Sequence, residues 1–349
     1  MTTAERVAVI ASAFNGRADL GFNSEADLRG LIIGELGDVE IFERPVLRGG
    51  VPLMARPPET IYHLCAANLG VSAETSLVLG LLLGSRLYFK LPGGGLPAFV
   101  NTVSQLPPTL REKVILLARH DPALMLTADA VIVYGNDATI DAIHRQVSWR
   151  QRFLAYGHKI SLGLIDADDE TPAIASAAAR EILAHEQLGC LSPQAYLCRD
   201  AARAEKFSAL LADALAAARR RQPLPALTFD ETALRQHFRQ TAAANGEKIL
   251  TGADHEYIII SGAKKLVLTP ARATVSVLDT WEIADCDKWR GKLSAVSHTR
   301  PLPLSVTDYF TKLGVSRFCP TGGLQAPPLA WRHDSRPRLA DLLKWITFA

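Results

Sequence analysis

The chain has 349 residues, of which 48% are hydrophobic, and its formal net charge is only +2. This length suits two globular domains, and the small net charge gives no sign of a surface for nucleic acid or an anionic membrane. Five cysteines without a CxxC pair argue against a disulfide framework and against a zinc site. The N-terminus carries early charges, and the apolar run 71–83 contains Glu74 and is too short to span a bilayer. We therefore expect a soluble, cytoplasmic protein.

The first 60 residues predict two helices followed by extended structure. Residues 3–5 open the first helix, and residues 23–27 supply an N-terminal cap for the second. From 36 to 60 apolar and polar residues alternate around the turn Gly49-Gly50. This pattern predicts a hairpin.

Residues 60–165 alternate between strand and helix patterns. Predicted strands cover 60–65, 86–90, 113–118, 130–134 and 159–165, and predicted helices cover 73–83, 96–106 and 136–144. Such alternation is typical of βαβ units and a mostly parallel sheet, which binds ligands at the carboxyl ends of its strands. The GxGxxG fingerprint is absent from this stretch. Gly135, between a strand and a helix, is its nearest equivalent, and a tight turn explains that glycine equally well.

An Ala-rich helix predicted over 171–187 leads to the most reactive candidate in the chain. Gly189 closes it, Cys190 follows at once, and Ser192-Pro193 cannot easily continue a helix. Cys190 is thus expected at a junction where a thiol can meet a substrate carbonyl. A buried structural cysteine is the alternative interpretation.

The rest of the chain predicts further helices and strands. The helices cover 199–221, 231–244 and 338–346, and the strands cover 257–261, 265–268 and 274–278. The basic run 219–221 closes its helix, and we expect it to be a solvated helix end because cations suit a helix C-terminus. The Ala-rich helices carry the charge spacing of ordinary solvated helices.

Several motifs occur in order along the chain: His63 with Asn68, Lys90 at a strand end, 130–136, 156–161, Asp166 to Asp168, Gly189-Cys190, 323–327 and 331–334. From about residue 45 to the end they resemble the LuxC-type acyl-CoA (fatty acid) reductases, a branch of the aldehyde dehydrogenase superfamily. The resemblance implies an α/β, aldehyde-dehydrogenase-like fold of two Rossmann-like parallel-sheet domains with an oligomerisation hairpin. A cofactor-binding domain is expected over 1–187 and a catalytic cysteine domain over 188–349. By this resemblance we expect the chain to be shorter than most relatives and to match them without much of their N-terminal region.

The resemblance implies NADPH-dependent reduction of an acyl-CoA thioester to the aldehyde. Cys190 would carry the acyl group, and the Asn68 side chain would stabilise the carbonyl oxygen, although a turn or a helix cap also explains Asn68. His158 would assist proton transfer, with a structural histidine as the alternative. The superfamily's general-base glutamate has no counterpart near Ala155, beside Tyr156. Its absence argues for acyl transfer and reduction over oxidation to an acid.

The same resemblance implies a nicotinamide cofactor, NADPH rather than NADH. Lys90 would hold the adenosine ribose or its phosphate, although a solvated lysine at a strand end is the alternative. Gly93 stands where many NAD-specific members carry a glutamate, and a carboxylate there would repel a 2′-phosphate. Gly135, followed by Asn136, would let the backbone approach the pyrophosphate at a helix start.

Other expectations concern partners and neighbouring residues. His63, Cys65 and Cys198 are expected to be packed, and the segment 331–334, with its His333-Asp334 pair, to line the substrate entrance. The acyl donor is CoA, a carrier protein or a partner enzyme, with an acyl-protein synthetase as a docking partner, and a homo-oligomer is expected. Two alternatives stay open: a non-catalytic subunit that retains only the fold, and an ordinary aldehyde dehydrogenase.

Overall fold

The computed structural model describes residues 1–67 and 70–348, and this part of the chain divides into two compact units. The first unit comprises Met1–His158 and Ala326–Ala349, and the second comprises Lys159–Gln325. No helix among the described residues has both the length and the apolar character needed to cross a membrane.

The first unit contains seven helices and eight strands among its described residues. The helices are α1 (Thr3–Ala13), α2 (Glu25–Leu36), α3 (Gly70–Leu83), α4 (Pro97–Ser104), α5 (Pro108–Arg111), α6 (Pro122–Thr127) and α7 (Asp137–His144). The strands are β1 (Val46–Arg48), β2 (Val51–Arg56), β3 (Thr60–Leu64), β4 (Arg86–Lys90), β5 (Val114–Leu117), β6 (Ala130–Tyr134), β7 (Arg152–Tyr156) and, from the end of the chain, β15 (Lys344–Thr347).

Five of these strands form a parallel sheet in the order β5-β4-β3-β6-β7. Helix α3 is apolar on nearly all sides and lies buried in the main core of this unit, which is where an all-apolar helix is stable. Its one carboxylate, Glu74, is neutralised by an ion pair with Arg17 and accepts a 2.6 Å hydrogen bond from Thr102 Oγ1. The predicted alternation of strands and helices is confirmed here.

The predicted hairpin is β1 and β2, joined through Gly49 and Gly50, which both have positive φ. The prediction of a C-terminal helix over 338–346 was wrong. This segment forms a short 3-10 turn, Ala340–Leu342, and strand β15, which pairs antiparallel with β2. The backbone hydrogen bonds to β2 override the helical spacing of the apolar residues.

The second unit contains the remaining elements. They are β8 (Ile160–Leu164), α8 (Pro172–Leu183), β9 (Pro193–Leu197), α9 (Ala201–Arg219), α10 (Phe229–Ala244), β10 (Lys248–Thr251), β11 (Ile258–Ala263), β12 (Thr274–Leu278), α11 (Cys286–Trp289), β13 (Leu293–His298), α12 (Leu304–Lys312) and β14 (Arg317–Pro320).

Its seven-stranded sheet has the order β10-β11-β12-β9-β8-β13-β14, and β10 alone among them pairs antiparallel. Small alanines let α8 pack closely beside α9 on one face of the sheet, and α10 and α12 supply apolar residues to the core on the other face. The predicted strand 265–268 does not form, since those residues lie in an irregular segment between β11 and β12.

The compact units divide between His158 and Lys159, and the functional division expected at 187/188 stays a prediction. Strand β8 and helix α8 belong to the second unit because β8 is the central partner of β9 and β13. The chain also returns to the first unit at Ala326. A single cut in the sequence could not anticipate this return, which depends on the pairing of β15 with β2.

Candidate active site

Cys190 lies in a turn between the end of α8 and the start of β9, where the sequence predicted a junction. The helix ends at Leu183, four residues earlier than expected, and a 3-10 turn over Ala184–Gln187 follows. Cys190 is half-buried, and its carbonyl accepts a 2.8 Å hydrogen bond from Ser161 Oγ. Cys190 thus lies on irregular backbone just before the amino end of β9, and such loop positions often carry functional side chains.

The backbone just before this turn is left-handed at three successive residues. The φ angles are 51° at His185, 52° at Glu186 and 63° at Gln187, a conformation that costs about 1–2 kcal/mol per non-glycine residue. The buried Gln187 side chain helps to hold it: Nε2 donates to the carbonyls of Pro193 (2.7 Å) and Thr274 (2.9 Å), and Oε1 accepts from the Thr274 amide (2.9 Å). Sequence reasoning did not identify this glutamine.

Glu186 is held by a buried arginine from α9. The two guanidinium nitrogens Nη1 and Nη2 of Arg219 donate to its carboxylate oxygens at 3.0 and 2.8 Å. The Arg219 side chain is 0% exposed, so its assignment to a solvated helix end was wrong. The cause is tertiary: the carboxylate that pairs with Arg219 lies 33 residues earlier in the sequence. Breaking such a buried pair costs about 3–5 kcal/mol, which gives Glu186 a firm anchor.

Glu181, on α8, is a buried carboxylate with four donors. Oε1 accepts from the amides of Gly322 (2.7 Å) and Leu324 (3.0 Å), and Oε2 accepts from the hydroxyls of Tyr196 (3.1 Å) and Ser297 (3.3 Å). Burial nevertheless raises the pKa of Glu181 above its ordinary value of 4.5, because desolvation penalises the charged form.

This carboxylate fixes the loop that reaches the cysteine turn. Next in that loop, Gln325 donates through Nε2 to the Glu181 carbonyl (3.1 Å) and to Ser192 Oγ (3.2 Å). Ser192 is two residues beyond Cys190, so α8, the 322–325 loop and the turn are connected by hydrogen bonds. Glu181 has no distinct signal in the sequence, since a glutamate in an Ala-rich helix is typical of a solvated face.

The expected cofactor residues lie at the carboxyl edge of the parallel sheet in the first unit. Lys90 ends β4, and Gly135 directly follows β6, with its amide donating to the Tyr156 carbonyl at 3.2 Å. Parallel strands end at one edge, and only β3 separates β4 from β6. Asn136 caps α7 by accepting from the Thr139 amide at 2.9 Å.

These residues differ in how well they fit a dinucleotide. Lys90 supplies a positive charge, and a Cβ placed at Gly93, Gly94 or Gly95 would meet no atom within 4 Å, so the loop after β4 leaves room for a ligand. Helix α7 is less favourable to a pyrophosphate because Asp137 occupies its first turn. The fit to a nicotinamide dinucleotide thus rests on Lys90 and the glycine loop.

The two other predicted catalytic residues are Asn68 and His158. Asn68 lies outside the described residues. His158 is exposed in the loop between β7 and β8, where the stretch Met1–His158 of the first unit ends. Exposure disagrees with a packed structural histidine and leaves the ring accessible to solvent.

His63 and three of the other cysteines, Cys65, Cys198 and Cys319, are buried or half-buried, whereas Cys286 is exposed. His63 stacks on Phe89 with ring centroids 4.1 Å apart, and burial lowers its pKa to about 3. Burial raises the pKa of Cys65 to about 12 and that of Cys319 to about 11, and it also raises the pKa of Cys198. These thiols are therefore poor nucleophiles at neutral pH.

The segment 331–334 packs against the end of β7. The rings form a series in which Tyr134 lies 4.9 Å from Tyr156, Tyr156 lies 4.7 Å from His333, and His333 lies 4.7 Å from Trp331, measured between centroids. His333 Nε2 is 3.8 Å from Asp334 Oδ1. The expected polar pair is thus present, and its role at a substrate entrance stays a prediction.

The model of the family described as acyl-CoA reductase (LuxC) matches residues 17–345. The chain belongs to this family. A long-chain acyl-protein thioester reductase from Aliivibrio fischeri is 22% identical over 342 residues, which cover 93% of this chain and 71% of that protein. The protein of the same description from Vibrio harveyi is 24% identical over 250 residues, which cover 68% of this chain and 52% of that protein. The LuxC resemblance of the sequence is confirmed.

Solved structures identify the fold. The indole-3-acetaldehyde dehydrogenase AldA of P. syringae, in complex with NAD+, superposes with a TM-score of 0.70 at 14% identity, covering 100% of this chain and 85% of that one. The NADP-dependent glyceraldehyde-3-phosphate dehydrogenase of Bacillus halodurans superposes with a TM-score of 0.66 at 13% identity, covering 100% of this chain and 87% of that one. The LuxC-family chain therefore has the aldehyde dehydrogenase fold, as predicted.

Proposed function

We propose that this chain reduces a fatty acyl thioester, with acyl-CoA as the donor, to the aldehyde through an acyl group carried on Cys190. The observation that supports this most is the position of Cys190: a half-buried thiol in a turn held by Gln187, Glu186 and Gln325, in a chain of an acyl-CoA reductase family. The relatives, named as reductases of long-chain acyl-protein thioesters, support the thioester chemistry.

In the proposed mechanism the Cys190 thiolate attacks the thioester carbonyl. The carbonyl oxygen becomes negative, and the Asn68 amide and the Cys190 backbone N–H donate to it; losing one such donor costs about 100- to 1000-fold in rate. The carbon–sulfur bond to CoA then breaks, CoA leaves as a thiol after taking up a proton, and the acyl group remains on Cys190.

A reduced nicotinamide, when bound, supplies the hydride that the acyl carbon requires. The resulting thiohemiacetal on Cys190 collapses: its carbon–sulfur bond breaks, the aldehyde leaves and the thiolate is restored. His158 is proposed to assist the proton transfer of this collapse. By the resemblance, the superfamily's general base would fall near Ala155, which is half-buried on β7, and a thioester on an enzyme without this base resists hydrolysis.

We propose NADPH as the preferred cofactor. Lys90 would pair with the adenosine ribose or its phosphate, and Gly93 leaves the space beside it free of a carboxylate. Gly135 and Asn136 would lie near the pyrophosphate.

We further propose that the chain forms a homo-oligomer and docks to an acyl-protein synthetase. The sheet β1-β2-β15 supports the first of these, since it exposes Leu47 (72%) and Trp345 (39%) on short strands with unpaired edges. Light scattering after gel filtration should show an oligomer for the unmodified chain and a shift towards monomer for Leu47→Glu.

The acyl-enzyme is tested by labelling. The protein is incubated with radioactive tetradecanoyl-CoA without NADPH and denatured. A label that hydroxylamine removes is expected on the unmodified chain and on Cys286→Ser, a control at an exposed cysteine, and no label on Cys190→Ser. Equal labelling of all three would reject Cys190 as the acyl carrier. If nothing is labelled and NADPH does not bind, the chain is a non-catalytic subunit.

A further inference from the structure

An open apolar cavity of about 690 Å³ lies in the second unit between α10 and the irregular segment that links β11 to β12. Its apolar lining comes from Leu234, Phe238, Ile260, Ala263, Val267 and Leu268. Leu234 is 58% exposed and Leu268 is 52% exposed. Large aliphatic side chains grouped in solvent around one cavity indicate a binding site rather than incomplete packing.

One wall of this cavity is connected to the cysteine turn. Strands β12 and β9 are parallel neighbours, so the segment that enters β12 and the turn that enters β9 reach the same edge of the sheet. Thr269, in the cavity wall, donates its amide to the buried Gln194 Oε1 at 2.8 Å, four residues past Cys190.

The same segment also bonds to residues before the cysteine. The Arg272 amide donates to the Glu186 carbonyl at 3.2 Å, and Thr274 exchanges hydrogen bonds with the Gln187 side chain. The segment 269–274 is therefore tied to both flanks of Cys190. This segment therefore connects the backbone around Cys190 to the cavity wall at Thr269.

The lining selects an aliphatic ligand. Most of the cavity surface is apolar, although half of its lining residues are polar, and of its two lysines Lys264 pairs with Asp279. Burial raises the pKa of Glu247 above its ordinary value of 4.5, because desolvation penalises the charged carboxylate. An extended peptide would need backbone partners, whereas a hydrocarbon chain needs only apolar area, and each methylene buried strengthens binding about fourfold.

We propose that this cavity holds the hydrocarbon chain of the acyl group whose carbonyl is attacked by Cys190; the inference rests on the proposed function. The cavity sets the preference for long acyl chains, because only a long chain extends from the cysteine turn along 269–274 to Leu268 and Leu234.

The first test compares turnover of tetradecanoyl-CoA and butanoyl-CoA. Leu268→Glu should lower kcat/KM for the long substrate by about tenfold or more, since it places a charge beside several methylenes, and should leave the short substrate unchanged. Leu304→Glu is the matched control, because Leu304 is 81% exposed on α12 and lies outside the cavity. Equal effects of both variants, or of one variant on both substrates, would overturn the cavity assignment.

A second test separates the cavity from the reaction. Binding of the fluorescent fatty acid cis-parinarate to the Cys190→Ala protein needs no turnover. The proposal expects binding that Leu268→Glu weakens about tenfold and Leu304→Glu does not. If this pattern appears while no acyl-CoA is reduced, the proposed function fails and the aliphatic site stands. If parinarate binding is absent or insensitive to Leu268→Glu, the site is rejected even where turnover is observed.

Discussion

Glu181 is expected to be the residue on which the framework of the cysteine turn depends most. Replacement by alanine leaves the buried Leu324 amide and the buried Ser297 hydroxyl without their acceptor, and each unsatisfied buried donor costs about 1–3 kcal/mol. The predicted loss for Glu181→Ala is therefore about 2–6 kcal/mol, a large part of the stability of an ordinary domain.

Glu181→Gln should behave differently. The amide oxygen can still accept from Gly322 and Leu324, and the amide nitrogen can donate to the hydroxyl oxygens of Tyr196 and Ser297, with Tyr196 turning its own proton to the Ala178 carbonyl at 3.3 Å. We expect a change within about 1 kcal/mol at neutral pH.

The pH dependence of stability further distinguishes the unmodified chain from Glu181→Gln. Burial raises the pKa of Glu181 above 4.5, so the folded state binds this proton more tightly than the unfolded state. Its contribution to stability is fully present below pH 4.5 and is lost as the pH rises through the folded pKa. Glu181→Gln removes this dependence.

Urea unfolding of the unmodified chain and both variants, repeated over pH values from below 4.5 to neutral, measures these effects. Equal destabilisation by glutamine and alanine would refute the hydrogen-bonding account of Glu181. An unchanged pH profile in Glu181→Gln would refute the account of its raised pKa.

Two further predictions concern the first unit. Gly93→Glu should raise KM for NADPH about tenfold or more while KM for NADH changes little, because a carboxylate there repels the 2′-phosphate; a Gly93→Gln control that gives the same ratio would show that size rather than charge is responsible. Burial lowers the pKa of His63 from 6.5 to about 3, so the unfolded state binds this proton more readily than the folded state. The free energy of unfolding should therefore fall by about 2 kcal/mol as the pH drops from 6.5 to about 5. In His63→Leu this part of the acid sensitivity should disappear from urea titrations, and its persistence would mean that His63 does not remain neutral in the fold.

The sequence was most informative where local pattern and tertiary structure agree. Strands β3, β4 and β6 follow apolar runs bounded by turn residues, so their positions could be predicted closely. The strand in segment 338–346 could not be predicted, because the helical spacing of its apolar residues is overridden by pairing with β2, nearly 300 residues earlier in the chain.

The candidate site shows the same limit. Cys190 was predicted from its neighbours, Gly189 and Ser192-Pro193, which end a helix locally. Glu181 and Arg219 were missed because a charged residue in an Ala-rich helix predicts a solvated face, and the partners that bury them lie far away in the sequence. Only the folded arrangement shows that both support the turn.

The central claim is that Cys190 carries the acyl group during reduction, and NADPH oxidation tests it most directly. The purified protein is given NADPH and a series of acyl-CoAs from short to long, with Cys190→Ala in parallel and aldehyde measured in each reaction. The account predicts NADPH consumption matched by aldehyde with the unmodified chain and none with Cys190→Ala. Turnover that survives in Cys190→Ala, or an unmodified chain that neither binds NADPH nor reduces any acyl-CoA, would contradict it.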